Sequence, residues 1–346
     1  MESTPTSWRA VSTLYNALVT GLVVSLVARH GSGVAREYVF RHFRRQHLEK
    51  FLPGLAKLGL AGQPHAVACA LYHYHSNALG GVKTEYYRES DRKAWVRYPP
   101  PRWMWRGTSI AAIPHEVSAA MLHGWHGHNG VSLGNPRLGF VCTGMTVDGM
   151  PGLEGYYLEH DHDLAPDERV RFAYGKETMP RFDPDAAPRL EAESWPAERL
   201  ERTRRRYAMD YVRTMLAVLE DLPGVPDPMA ELARVARLVG LQFYEETALE
   251  TGAGESAAIF GRWLHAMLEA QGEEVTLAVE GNTVAIELAG WKLPEGLGLH
   301  DLPQAFRAWN ELWAGASAAH DRFLRFDATS NLVDGRPSAR WRLTPG

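Results

Sequence analysis

Two rhythms alternate along the chain. Apolar residues at helical spacing run through Trp8 to Ala28, Val34 to Leu55 and Pro64 to Leu79, with Gly31 and Gly80 as stop signals. Strand-like alternation follows over Lys83 to Tyr98, where Glu85-Tyr86-Tyr87 and Ala94-Trp95-Val96 read as two strands turned at Ser90-Asp91. Pro114 to His126 returns to helix. Arg137 to Thr146 and Leu153 to His160 then make a second hairpin around Asp148-Gly149, a pair that tolerates positive φ. The same succession recurs further on. It predicts helices near Glu201 to Leu222, Pro228 to Thr251 and Glu255 to Gln271, strands at Glu274 to Val279 and Thr283 to Leu288, and a helix from Leu302 to Ala318. Strands Phe323 to Ala328 and Ala339 to Thr344 around Asp334-Gly335 close it.

Residues repeat along with the rhythm. Shifted by 192 positions, Ala61, Gly62, His73, Gly80 and Thr84 fall on Ala253, Gly254, His265, Gly272 and Thr276. Shifted by 186, Leu138, Phe140, Thr143, Val147, Asp148, Gly149 and Pro151 fall on Leu324, Phe326, Thr329, Val333, Asp334, Gly335 and Pro337. The first copy carries the additional segment Pro99-Pro100-Pro101-Arg102-Trp103. The expected fold class is therefore α+β, a tandem duplication of a helices-hairpin-helix-hairpin unit. Residues 1–175 form the first unit, a Pro-, Asp- and Ala-rich linker spans 176–200, and 201–346 form a degenerate second unit.

The repeat bears on Ala10 to Ala28, which carries no charge between Arg9 and Arg29 and is nearly long enough to span a bilayer. Its counterpart, Arg204 to Leu222, is amphipathic and charged, so a buried helix is expected and membrane association is not. The more apolar first helix should sit deeply between units or pack on another copy of the chain as a homo-oligomer contact.

Composition removes several classes. At 346 residues the chain has room for two domains, and its 45% hydrophobic and 23% charged residues are those of a soluble globular protein. A net charge of −4 leaves no basic excess for a nucleic-acid partner, and Arg204, Arg205 and Arg206 read as a solvated helix face. Two cysteines, Cys69 and Cys142, suit a reducing cytoplasm. The count of 15 histidines is unexplained by composition, and 12 of them precede residue 175 while only His265, His300 and His320 follow it.

The helices, the hairpin Glu85 to Tyr98, the Pro99-Pro100 corner, Asn135-Pro136-Arg137-Leu138 and Val147-Asp148-Gly149 together resemble a known pattern. Each half is similar to the L-2-amino-thiazoline-4-carboxylic acid hydrolase family and the related small-ligand domains named for 4-vinyl reductase. That resemblance implies hydrolytic opening of a small C–N or C–S ring. The family places cysteines at the end of the first hairpin and after the final turn, where this chain has Pro99-Pro100 and Gly152 to Tyr156.

Three histidine clusters are candidates for chemistry. His73 and His75 in Tyr72-His73-Tyr74-His75 point about 200° apart on a helix and cannot share a metal, and His73 has a twin in His265, which favours a structural role. His123, His126 and His128 end the fourth helix, and a spacing of three puts His123 and His126 on one face. Their counterparts under a shift of 184 are Arg307, Asn310 and Leu312. Glu159-His160-Asp161-His162-Asp163 would place His160 and His162 on one strand face. For the second cluster a partly exposed polar helix end, and for the third a solvated acidic turn, is the plainer reading. No HExxH, GxSxG, P-loop or dinucleotide glycine fingerprint is present.

The expectation is a cytoplasmic small-molecule enzyme, hydrolase or lyase/isomerase, acting from the first unit on a small cyclic or aromatic substrate. His123, His126 and Tyr87 are its catalytic candidates. His123, His126 and His160 are candidate ligands for a divalent metal such as zinc, iron or manganese. Tyr86, Tyr87, Trp95, Tyr98, Trp103, Trp105 and Trp125 would line a pocket or pack as core. The alternative is a non-catalytic small-ligand-binding or interaction protein.

Overall fold

In the computed structural model, Gly31 holds a φ of +88°, a value that only glycine adopts without strain. There α1 (Ser7–His30) ends and α2 (Ser32–Lys57) begins. Residues 7–100, 112–191, 193–248, 254–333 and 335–346 are described. The expectations for Pro101, Arg102, Trp103, Trp105, Asp334 and the end of the helix drawn to Thr251 lie outside them.

The rest of the first half follows as α3 (His65–Leu79), β1 (Glu85–Arg88), β2 (Lys93–Tyr98), α4 (His115–Gly124), α5 (Asn129–Ser132), β3 (Leu138–Gly144), β4 (Leu153–Glu159) and β5 (Val170–Phe172). The second half contains α6 (Ala197–Leu219), α7 (Pro228–Phe243), α8 (Ser256–Ala270), β6 (Val275–Glu280), β7 (Thr283–Leu288), α9 (Leu302–His320), β8 (Leu324–Val333) and β9 (Arg336–Pro345). Helices beside antiparallel and mixed sheets make the chain α+β.

Two compact units form. One is Leu26–Arg204; the other joins Met1–Ser25 to Arg205–Gly346. The first helix up to Ser25 thus belongs with the second half, a boundary that differs from the division at 175 and 201. The physical reason is burial of its apolar faces there. Leu14, Leu18 and Leu22 are inaccessible, Gly21 sits against Val235 and Val239 of α7, and the Tyr15 hydroxyl accepts from Trp309 Nε1 at 2.9 Å. Length and apolarity alone would let Ser7–His30 cross a membrane, but 67% of its most apolar window is buried inside the protein.

In the Leu26–Arg204 unit the sheet order is β1-β2-β4-β3-β5, antiparallel except for the β3–β5 pair. Its inner face carries Ala94, Val96 and Tyr98 of β2, Phe140 and Cys142 of β3, and Leu153 and Tyr157 of β4, all buried. Helix α3 packs on β2 and β4, and α2 packs on α4. The outer face is covered by the segment expected to be a linker. Met179 joins Trp95, Val141 and Tyr156 in one core cluster, with Phe182 against it. Glu177 accepts from the Tyr156 hydroxyl at 2.6 Å and pairs with Lys93.

The other unit's sheet is β6-β7-β9-β8, antiparallel throughout, with α8 and α9 on its inner face. Asp227 and Asp301 cap α7 and α9 by accepting from Ala230 N and Gln304 N at 2.9 and 2.8 Å, each with a proline in the first turn. Glu273, buried, accepts from the backbone N–H groups of Lys292 and Leu293.

Candidate functional site

The inner face of the five-stranded sheet and helices α2, α3 and α4 enclose a dense cluster of histidine and aromatic rings. Helix α4 stops at Gly124 because the chain turns at Trp125 (φ −110°, ψ −70°) into a 3-10 turn over His126–His128. That break decides where the two predicted helix-face histidines go. His126 points inward and is 3% exposed. His123 stays on the outside, beside Phe172 at 6.1 Å between ring centroids.

His126 stacks on His73 of α3, with centroids 4.3 Å apart and planes 10° from parallel. Tyr157 of β4 lies nearly parallel to both rings, 5.8 Å from His126 and 5.9 Å from His73. Phe140 packs on His126 at 4.6 Å, and Tyr98 and Trp125 stand edge-on to His73.

A buried carboxamide fixes the next layer. Asn129 Nδ2 donates to the Tyr157 hydroxyl at 2.9 Å, and its side chain also faces His47. His47 Nδ1 accepts from Arg44 at 2.7 Å, and its ring is edge-on to Trp125. Burial, with Arg44 and His128 nearby, lowers His47 to about 3; burial alone lowers His42 to about 3 and His75 to about 4. Burial raises the Tyr157 phenol well above its ordinary value and the Cys142 thiol to about 12. Cys142 is therefore a thiol packed in the sheet, not a nucleophile.

The structure separates the remaining candidates. Tyr87 is exposed on edge strand β1 opposite Trp95, on the outer face of the sheet and away from His126. Strand β4 ends at Glu159, so His160 and His162 do not share an extended strand face. The acids around them are engaged: Glu159 with Arg137 at 2.9 Å and Asn135 at 3.0 Å, Asp161 with Arg92 at 2.6 Å. Burial lowers the His160 imidazole, with His162 adding to it. Among the described residues no group of three or more His, Cys, Asp or Glu is placed to hold a metal ion, so His123, His126 and His160 do not converge.

Two polar clusters carry no motif in the sequence. On the surface of the same unit, Asp148 accepts from the Tyr174 hydroxyl at 2.8 Å and pairs with His115 Nδ1 at 2.8 Å. In the other unit, Ser256, His320, Asp321 and Tyr244 are joined. Tyr244 meets His320 Nδ1 at 2.7 Å, His320 Nε2 lies 3.1 Å from the Ser256 carbonyl, and the Ser256 hydroxyl donates to Asp321 at 2.7 Å. His320 Nε2 also lies 3.2 Å from the Ser256 hydroxyl, so with Nε2 donating to the Ser256 carbonyl the serine hydroxyl hydrogen bonds to the Asp321 carboxylate. The arrangement ties α8 to the end of α9. Neither cluster was visible in the sequence, because apart from the neighbours His320-Asp321 its members come from separate elements of the chain.

The molecule is thus an α+β protein whose first-half unit encloses a buried histidine-tyrosine stack. Comparison with protein-family models, curated proteins and solved structures finds no match for the chain.

Proposed function

We propose that the Leu26–Arg204 unit is the active half of a duplicated small-molecule enzyme, with His126 and His73 as an acid–base pair. The observation that carries this reading is their face-to-face stack at 4.3 Å beside Tyr157. Each imidazole can take up or release a proton only through ring nitrogens in its own plane, so one ring would serve a substrate as acid or base while the other packs against its face; such catalysis contributes about 10²–10⁴-fold. Hydrolysis of a small C–N or C–S ring is the reaction that the family resemblance favours.

Duplication is supported by the matching strand orders β1-β2-β4-β3 and β6-β7-β9-β8 and by the matching succession of helices and hairpins. The repeat alignment sets His265 and Asn310 opposite His73 and His126. His265 pairs with Glu269 at 3.3 Å and Asn310 accepts from Trp341 at 2.6 Å, which fits a second half without this chemistry. The second reading, a non-catalytic ligand-binding unit, is favoured by one observation: both imidazoles are nearly inaccessible, at 5% and 3%.

A panel of small cyclic amidines, thiazolines and lactams, followed by mass spectrometry for ring opening and by Trp fluorescence for binding, separates the two. Turnover that falls at least 100-fold in folded His126→Phe and His73→Phe variants is expected. Binding without conversion would replace the enzyme by the binding protein, and neither across the panel would overturn both.

A further inference from the structure

Strand β8 leaves one edge of the four-stranded sheet open. It pairs with β9 from Leu324↔Pro345 to Val333↔Arg336 without a register shift, and among the described residues no strand lies on its other side. Every residue from Asp327 to Val333 is exposed. Natural sheets blunt such an edge with lysine, proline or a bulge, and β8 contains none of the three. The strand at the same place in the five-stranded sheet, β3, has a bulge and is covered by β5. There the Phe140 N–H donates to the Arg169 carbonyl and the Ala173 N–H to the Cys142 carbonyl, both at 2.8 Å.

Hairpin geometry decides which groups face the open side. Only two residues separate Val333 from Arg336, so this pair closes a two-residue hairpin and is hydrogen-bonded within it. Bonded and non-bonded pairs alternate, so Arg325, Asp327, Thr329 and Asn331 also bond to β9. Leu324, Phe326, Ala328, Ser330 and Leu332 turn their N–H and C=O groups to the open edge. Two contacts agree with that parity. Pro337, opposite Leu332, has no N–H and accepts at its carbonyl from the Trp291 N–H at 2.8 Å, and the Leu324 N–H donates to the Asp321 carbonyl at 3.0 Å instead of to β9.

We propose that β8 pairs antiparallel with β8 of a second copy of this chain, about a two-fold axis at Ala328. Phe326, Ala328 and Ser330 then exchange backbone hydrogen bonds with Ser330, Ala328 and Phe326 of the copy. What selects a second copy over an unrelated segment is that the strand complements itself in this register. Its exposed apolar residues stand at the two ends, Phe323 (63%) at one and Leu332 (56%) and Val333 (52%) at the other. The two-fold sets Phe323 opposite Val333 and Leu324 opposite Leu332. Between them Arg325 faces Asn331 and Asp327 faces Thr329, so no like charges meet. Centred one residue earlier, the pairing would set Asp327 against Asp327. A contact of this kind is isologous, closes at two chains and joins the two four-stranded sheets into one.

The register makes the test specific, because residue 328 meets itself across the axis. Sedimentation velocity of the full chain over a hundredfold range of concentration should show a monomer–dimer equilibrium. Ala328→Lys and Ala328→Glu, both at an exposed position, should each weaken the dimer at least tenfold by setting like charges opposite, and an equimolar mixture of the two should restore it. A wild type that stays monomeric would overturn the proposal and leave the edge to a segment of another protein. A dimer unchanged in Ala328→Lys, or a mixture no more dimeric than its parts, would overturn it as well. Should a variant fail to fold, amide hydrogen exchange of the wild type read residue by residue decides: Phe326, Ala328 and Ser330 should exchange at least tenfold more slowly than an unbonded edge amide, and fast exchange at these three would sink the pairing. No ring-opening activity enters these measurements, so the outcome is separate from that of the reading at His73 and His126.

Discussion

At the scale of single residues, Asn129 is the side chain on which the buried site depends most. It is inaccessible to solvent and supplies the hydrogen bond to the Tyr157 hydroxyl. Leucine has nearly its volume and no donor. Asn129→Leu should therefore destabilise the protein by about 1–3 kcal/mol in urea unfolding, the cost of stranding a buried polar group. The double variant Asn129→Leu, Tyr157→Phe should recover part of that loss, because it removes the stranded hydroxyl; no recovery would mean that the bond at 2.9 Å contributes nothing. The sequence marked His126 but not its partner. Spacing put His123 and His126 on one face, and it would have been right had the helix continued. The turn at Trp125 sends one ring into the core and leaves the other outside. Its twin in the second half gives His73 the look of a structural residue, yet the ring it meets, His126, lies 53 positions away, beyond the reach of periodicity.

At the scale of elements, hairpins and most helices were legible because alternation and helical spacing are local, and Asp148-Gly149 marks its turn with Gly149 at φ +83°. Strand β5 was not, since three residues carry no periodicity. The Pro, Asp and Ala content of the stretch from Lys176 onward predicts a linker. Composition measures what a segment averages, whereas Met179 and Phe182 decide where this one packs. Met179→Ala should cost about 2–5 kcal/mol, the range for removing a buried long apolar side chain, and should speed tryptic cleavage at the already exposed Arg181 and Arg189 by loosening the backbone around them. An unchanged cleavage pattern would show that the segment is not held by that contact. A second element-scale contact is the crossing of α2 and α4, which meets at Gly124. A Cβ there would stand 2.6 Å from the Phe40 carbonyl and 3.1 Å from the Arg44 amide. Both are backbone atoms and cannot swing away, so Gly124→Ala should separate the helices at a cost of about 1–3 kcal/mol, read as a lower urea midpoint.

At the scale of the whole molecule, the one-sided histidine content becomes a difference in how the two units respond to acid. His42, His47, His73, His75 and His126 are all buried in the Leu26–Arg204 unit. For His42, His47 and His75 the folded values of about 3, 3 and 4 lie below the ordinary 6.5. Between pH 6.5 and about 4 the unfolded chain therefore binds protons that the folded unit refuses, so its stability falls as pH falls. By linkage each such histidine costs up to about 2 kcal/mol at pH 5. The other unit contains Glu273, raised by burial from 4.5 to about 7. Here the folded form binds the extra proton, so stability is gained as pH falls from 7 toward 4.5, by roughly 2 kcal/mol at pH 5. The signs are opposite. Hydrogen exchange followed by mass spectrometry at pH 5 and 7.5, corrected for the intrinsic rate, should show protection lost in α2, α3 and the five-stranded sheet. Around β6 and Trp291–Leu293, protection should be kept or increased. Replacing Glu273 by Gln should remove the gain in the second unit alone, because the amide keeps the buried shape without a titrating group. Uniform loss across both units would show that acid acts through a shared transition rather than through these buried groups.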